Sequence, residues 1–223
     1  MIPRGGKSLI DLVSEKATMP SIVGGIGVTH LYIDKSADLE QSIKIAINSK
    51  TQRPSVCNAL DTILIHEKIA PEFIPSLILA LCEKNVEIKC DSKIFHLIDK
   101  KFRKNNIRKA TENDWGTEFL SLKISIKTVE SLKEAINHIK IYGSGHTEAI
   151  STNDEITKNI FLTEVDASAV MSNASTRFND GGEFGLGAEI AVSTSKFHAR
   201  GPMGLDSLTS YKWIVEGEGH IRE

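Results

Sequence analysis

The chain has 223 residues, 40% of them hydrophobic, and its 27 basic and 29 acidic residues leave a formal net charge of -2. That length accommodates one large or two small globular domains, and the charge balance, with no block of one sign, excludes a nucleic-acid-binding arm. No run approaches the roughly 18 apolar residues of a membrane span, and the opening MIPRGGKSLID lacks the apolar core of a signal peptide. The three cysteines, Cys57, Cys82 and Cys90, form neither a CxxC pair nor a metal-ligand spacing, so a reducing cytoplasm is the expected compartment.

In chain order, His30 to Ile33 reads as a strand, with Asp34 and Ser36 available to cap a helix carrying Leu39, Ile43, Ala46 and Ile47. A polar loop from Lys50 to Asn58 leads to a buried strand over Thr62 to Ile65. Pro71 opens a helix with Phe73, Leu77, Ile78 and Leu81 on one stripe. Val86 to Lys89 reads as a strand, Ser92 to Lys100 as a short helix, and the basic stretch Lys100 to Asn113 as an exposed loop. Alternation of Leu120, Leu122, Ile124 and Ile126 predicts a strand with one buried face. Behind it Leu132, Ala135, Ile136 and Ile139 form a helical stripe. A strand at Ala149 to Ser151, a helix with Ile156, Ile160 and Phe161 on one side, and a strand at Ser168 to Met171 follow. Strands alternating with helices at this spacing predict an α/β domain with a largely parallel sheet and flanking helices. From Asn173 the chain becomes glycine-rich and ends in an extended run, Tyr211 to Val215.

Cys57 stands out because it lies in the loop Lys-Thr-Gln-Arg-Pro-Ser-Val-Cys-Asn, where Pro54 discourages a helix and Lys50 and Arg53 are expected to favour a thiolate. Cys82 falls on an amphipathic helix and Cys90 ends a strand, both structural positions. Neither Gly25-Ile26-Gly27 nor Gly185-Leu186-Gly187 satisfies a dinucleotide fingerprint, which needs three glycines between a strand and a helix. Both read as turns. His198, among turn-forming residues, is the histidine kept as a candidate.

The segments Thr51-Gln52-Arg53-Pro54-Ser55-Val56-Cys57-Asn58-Ala59, Tyr142-Gly143-Ser144-Gly145-His146-Thr147, Val165-Asp166, Asn173-Ala174-Ser175-Thr176-Arg177-Phe178, Phe184-Gly185-Leu186-Gly187-Ala188-Glu189 and His198-Ala199-Arg200-Gly201-Pro202 resemble the gamma-glutamyl phosphate reductases (glutamate-5-semialdehyde dehydrogenases) of the aldehyde dehydrogenase superfamily. They match in order and at similar spacing. The resemblance covers the family's C-terminal half, so an N-terminal NADP-binding domain is expected to be missing, which suits the abrupt start. It implies a catalytic domain over residues 1–207 and a C-terminal oligomerisation strand over 208–223.

The resemblance also implies roles. Cys57 is the expected nucleophile with Asn173 near it, and Glu118 the nicotinamide-ribose contact. Arg4, Arg53, Ser175, Thr176, Arg177 and His198 are expected to bind substrate, Arg177 through its bidentate fork. Pro3-Arg4-Gly5-Gly6-Lys7 lacks the acidic residue that oxidising superfamily members place before Leu-Gly-Gly-Lys, so a base for thioester hydrolysis is absent there. The implied reaction is NADPH-dependent reduction of glutamate 5-phosphate to glutamate 5-semialdehyde through a cysteine thioester, in proline biosynthesis, by a homo-oligomer with glutamate 5-kinase as a partner. Two readings stay open beside it: the reductase portion of a bifunctional pyrroline-5-carboxylate synthase, and a non-catalytic folding or oligomerisation module. A cysteine hydrolase is set aside because no histidine lies in a segment suited to serve Cys57.

Overall fold

A computed structural model describes residues 1–3, 5–22, 24, 26–98, 106–196 and 199–223. Its centre is a seven-stranded, wholly parallel sheet in the order β4-β3-β5-β2-β1-β6-β7, comprising β1 (His30–Ile33), β2 (Thr62–His66), β3 (Glu87–Cys90), β4 (Ile107–Lys109), β5 (Lys123–Val129), β6 (Thr147–Ser151) and β7 (Ala169–Ser172). The central register places His30 beside Thr62 and Glu148, and Thr62 beside Ser125. Helices α2 (Leu39–Thr51), α3 (Ala70–Glu83) and α4 (Ser92–Leu97) and helices α5 (Leu132–Tyr142) and α6 (Glu155–Glu164) contribute to two separate apolar clusters. Leu31, Ile33, Ile63 and Ile65 join the first cluster with Phe73 and Leu77, while Tyr32, Leu64 and Ile150 join the second with Ala135 and Phe161. Alternate residues of β1 and β2 thus go to opposite faces and both faces are apolar, as a parallel sheet covered on two sides requires.

The expected α/β architecture is the one observed, with local differences. Asp38, and not Asp34 or Ser36, caps α2, its carboxylate accepting the Gln41 N–H at 2.9 Å. Asp34 is instead buried after β1, accepting from Tyr32, Ser36 and Thr152. The predicted strand at Leu120 begins only at Lys123, because Leu120 adopts φ 50 and is 46% exposed. The face of β5 opposite Ile124 and Ile126 is covered as well, by polar contacts: Lys127 Nζ lies 3.3 Å from His138 Nδ1 and over the Trp115 ring. On α6 only Phe161 is buried, and Ile156 is 72% exposed. The stretch read as a loop contains the edge strand β4, anchored by Ile107, while residues 99–105 lie outside the described residues.

Before the sheet, α1 (Lys7–Lys16) was not anticipated. After it, β8 (Val192–Ser193) and β9 (Gly201–Pro202) pair antiparallel, and Ser193 also bridges Gly24. Beyond α7 (Leu205–Leu208), Tyr211, Trp213, Ile214 and Val215 pair with no strand among the described residues and are each more than 70% exposed. Among the described residues no helix is long and apolar enough to cross a membrane.

Candidate active site

In a parallel sheet the segments that lead into neighbouring strands meet at one edge. Gly24 and Ile26 to Val28 lead into β1, Cys57 into β2, Glu118 into β5 and Ser144 to His146 into β6, so residues far apart in sequence converge. Of these, Gly24, Ile26, Cys57, Glu118 and His146 line a cavity of about 580 Å³ with Pro3, Gly5, Gly6 and Ile10 from the N-terminal segment, Glu189 to Ala191 from the loop before β8 and Val192 at the start of β8.

Backbone packing fixes the relation between Cys57 and Glu118. The Gly27 N–H donates to Glu118 Oε1 at 2.9 Å, the Thr29 hydroxyl donates to the Cys57 carbonyl at 3.3 Å, and a Cβ on Gly27 would overlap that carbonyl. Gly27 is therefore more than a turn: only glycine lets the two segments approach this closely. Glu118 Oε2 has no hydrogen-bond partner among the described residues. Behind it, Asp61 accepts the Phe119 N–H at 3.1 Å and stands 3.5 Å from Lys50 Nζ, and both charged side chains are buried. Burial raises Asp61 to about 6 against the opposing pull of Lys50. Burial likewise lowers Lys50, with Asp61 opposing.

This geometry corrects the expected electrostatics of Cys57. Lys50 is the last but one residue of α2 and is spent on Asp61, while Arg53 is exposed and does not line the cavity. Burial of the Cys57 thiol, followed by the charges of Glu118 and Glu189, pushes its pKa up; its own backbone N–H and Arg177 only partly oppose this. The setting is electronegative, not electropositive.

The other expected residues divide. Asn173 follows β7 at the opposite edge of the sheet from Cys57, a strand of four residues at about 3.3 Å each intervening. Its side chain accepts the Thr152 N–H at 2.9 Å and donates to the Thr152 carbonyl at 2.8 Å. It clamps the Thr152 backbone and lies away from Cys57. Ser175 and Thr176 are buried and do not line the cavity: Ser175 Oγ lies 3.1 Å from Ser49 Oγ, and the Thr176 hydroxyl donates to the Asn58 carbonyl at 2.7 Å. They pin the loop that carries Cys57. Arg177 donates to Gln52 Oε1 at 2.7 Å and to Asn58 Oδ1, and faces a separate cavity of about 240 Å³. Arg4 and His198 lie outside the described residues. Asp166 pairs with Lys196 and with Arg200 Nη2 at 2.7 Å, which links two of the segments that carried the resemblance.

Sequence reasoning missed His146 and Glu189 as members of the Cys57 cavity. Both stood in the segments quoted above. The only further signal was the position of His146 immediately before a strand.

The fold is aldehyde-dehydrogenase-like: an acetylating aldehyde dehydrogenase from Geobacillus thermoglucosidasius superposes over 100% of this chain and 57% of its own with a TM-score of 0.74, at 16% identity. That likeness is one of fold. At the level of sequence the chain is homologous to gamma-glutamyl phosphate reductases. The protein of that name from Dehalococcoides mccartyi is 52% identical over 222 residues, 100% of this chain and 52% of the relative. The crystal structure of gamma-glutamyl phosphate reductase from Thermotoga maritima matches with a TM-score of 0.89 at 49% identity, again covering 100% of this chain and 52% of that one. The chain spans about half the length of the relatives it matches. No family model matches it.

Proposed function

We propose that the chain supplies the nucleophile of a gamma-glutamyl phosphate reductase, with Cys57 attacking glutamate 5-phosphate. The observation that carries this reading is the convergence of Cys57 and Glu118 on one cavity, joined through Gly27. The Cys57 thiolate adds to the γ-carbonyl, the S–C bond forms, the C–O bond to phosphate breaks and phosphate leaves with that electron pair, so the acyl group remains as a thioester. NADPH, when bound, supplies the hydride that reduces this thioester. The thiohemiacetal on Cys57 then expels the thiolate and releases glutamate 5-semialdehyde, a precursor of proline.

Glu118 suits a nicotinamide nucleotide: one carboxylate oxygen is anchored on the Gly27 N–H and the other remains open to accept from a ribose hydroxyl beside Cys57. Because the thiol is held up by burial and by two carboxylates, thiolate formation is promoted by whatever neutralises Glu118 or Glu189. Arg177 opposes those carboxylates from behind, and Arg4, Arg53 and His198 remain candidates for the phosphate or the α-carboxylate. The chain acts in the cytoplasm as part of a homo-oligomer, the exposed run Tyr211 to Val215 pairing with another copy, and glutamate 5-kinase delivers the unstable acyl phosphate.

The test is reconstitution. Mixed with the other half of a reductase, the chain should give NADPH-dependent turnover that Cys57→Ser removes while Cys82→Ser and Cys90→Ser retain it. Turnover that survives Cys57→Ser overturns the assignment.

A further inference from the structure

His146 lines the Cys57 cavity with no exposed surface of its own. Its Nδ1 lies 2.6 Å from the Thr147 hydroxyl, and its Nε2 has no hydrogen-bond partner among the described residues. The neighbours determine which nitrogen carries the proton. Asn179 Nδ2 stands 3.3 Å from the His146 carbonyl and 2.8 Å from Thr147 Oγ1. A carbonyl only accepts, so the amide must present its N–H groups there, and Thr147 Oγ1 receives a hydrogen bond from Asn179. A lone pair on His146 Nδ1 gives the hydroxyl's own proton its one acceptor among these contacts, whereas the opposite tautomer, with Asn179 and Nδ1–H both donating to Thr147 Oγ1, leaves that buried proton with none. Nδ1 therefore holds the lone pair and Nε2 holds the hydrogen. Burial, which lowers the ring's pKa to about 4, keeps it neutral at physiological pH. In this tautomer the ring donates from Nε2 and cannot take the Cys57 proton.

A buried donor without an acceptor is costly to keep, and such groups gather where a ligand completes them. The chemistry of the cavity narrows the ligand. Among the described lining side chains, the carboxylates of Glu118 and Glu189 are acceptors, which leaves Ser55 and His146 as the side-chain N–H or O–H donors besides the thiol itself. An acyl group attacked by sulfur develops negative charge on its oxygen and requires such donors.

We propose that His146 donates its Nε2–H to an oxygen of the acyl substrate in the Cys57 cavity. The role rests on the reading of Cys57 as nucleophile. As the S–C bond forms, the carbonyl π pair moves onto oxygen, where the Nε2–H meets it; the pair returns as the C–O bond to phosphate breaks. His146 is therefore a neutral electrophilic donor to the substrate.

Two measurements on the chain test this. A long-range 15N–1H spectrum of the imidazoles should show His146 protonated at Nε2 and bare at Nδ1, unchanged between about pH 8 and pH 6. A proton on Nδ1 overturns the proposal, since Nε2 is then an acceptor. Acylation of Cys57 by acetyl phosphate, followed by intact mass, is compared with alkylation by iodoacetamide, which passes through no oxyanion. His146→Leu should slow acylation about 100-fold, the loss seen for a missing oxyanion donor, with alkylation unchanged. His146→Gln, which restores an N–H, should recover part of the rate. Equal acylation by His146→Leu and the parent overturns the proposal. If His146→Leu slows both reactions, the fold has been damaged, and the parent's tautomer together with the rate of His146→Gln decides. A parent chain that is alkylated but never acylated refutes the nucleophile reading and this inference with it.

Discussion

Gly27→Ala tests whether backbone packing holds the nucleophile. A Cβ at Gly27 would overlap the Cys57 carbonyl oxygen and lie 2.6 Å from its carbon and 2.8 Å from Cα, all backbone atoms that no rotamer change removes. Gly27 is not among the residues with positive φ, so the cost is one of contact and not of backbone conformation. Carbon pairs rest at about 3.5–4.0 Å, and the two segments must therefore part by about 1 Å. Overpacking of this kind costs about 1–3 kcal/mol, which in a chain of this size lowers Tm by about 2–4 °C for each kcal/mol. The chemical consequence is larger, because the displacement moves Cys57 and also the N–H that anchors Glu118, and a misplacement of about 1 Å costs roughly 100-fold. Urea denaturation gives the first quantity, and acylation of Cys57 by acetyl phosphate, normalised to alkylation by iodoacetamide, gives the second. A Gly27→Ala chain within about 0.5 kcal/mol of the parent that acylates at the parent rate would refute the view that this contact sets the site.

The same geometry makes further predictions. Alkylation of Cys57 should keep rising with pH beyond the ordinary thiol range of about 8.5, and Glu189→Gln, by removing a negative charge that disfavours the thiolate, should speed it several-fold at pH 7.5; an unchanged or slower rate contradicts the electronegative site. Lys50→Met leaves a buried carboxylate unpaired and should cost about 3–5 kcal/mol at pH 8. Asp61 already sits at about 6, above its ordinary value, against the pull of Lys50. An acid raised on folding contributes stability at low pH that is lost as pH rises through its folded pKa, so the Lys50→Met deficit should shrink between pH 8 and pH 5, and a deficit that grows on acidification is the contrary result. Removing residues 209–223, whose Tyr211, Trp213 and Val215 are exposed, should leave the unfolding midpoint of the dilute monomer unchanged and abolish self-association by light scattering; an oligomer that survives the truncation assigns the interface elsewhere.

What the sequence disclosed and what it hid follow from one difference, that between local and assembled properties. The units around β1, β2, α2, α3 and α5 were legible because each buries a stripe whose period its own residues display, as Leu31 and Ile33 do on one face and Tyr32 on the other. The edge strand β4 was not, since it is three residues long with Ile107 alone buried, and most of its definition comes from pairing with β3. Helix α1 escaped for a related reason, since Leu9 and Leu12 remain largely exposed and show no buried stripe. Cys57 and Glu118, both singled out in the sequence, share one cavity, but their surroundings were misjudged, because charge was counted along the chain. Lys50 is seven positions from Cys57 and Glu189 is far beyond it, yet the end of α2 turns the lysine into the interior, where Asp61 takes it, and the loop before β8 brings the glutamate into the cavity. Electrostatic influence falls with distance through space, and in a parallel sheet the shortest paths between side chains run across the leading edges of neighbouring strands. The charges that bear on the Cys57 thiol are therefore those of Glu118 before β5, Glu189 in the loop before β8 and Arg177, and not those of Lys50 and Arg53 nearer to it in the chain.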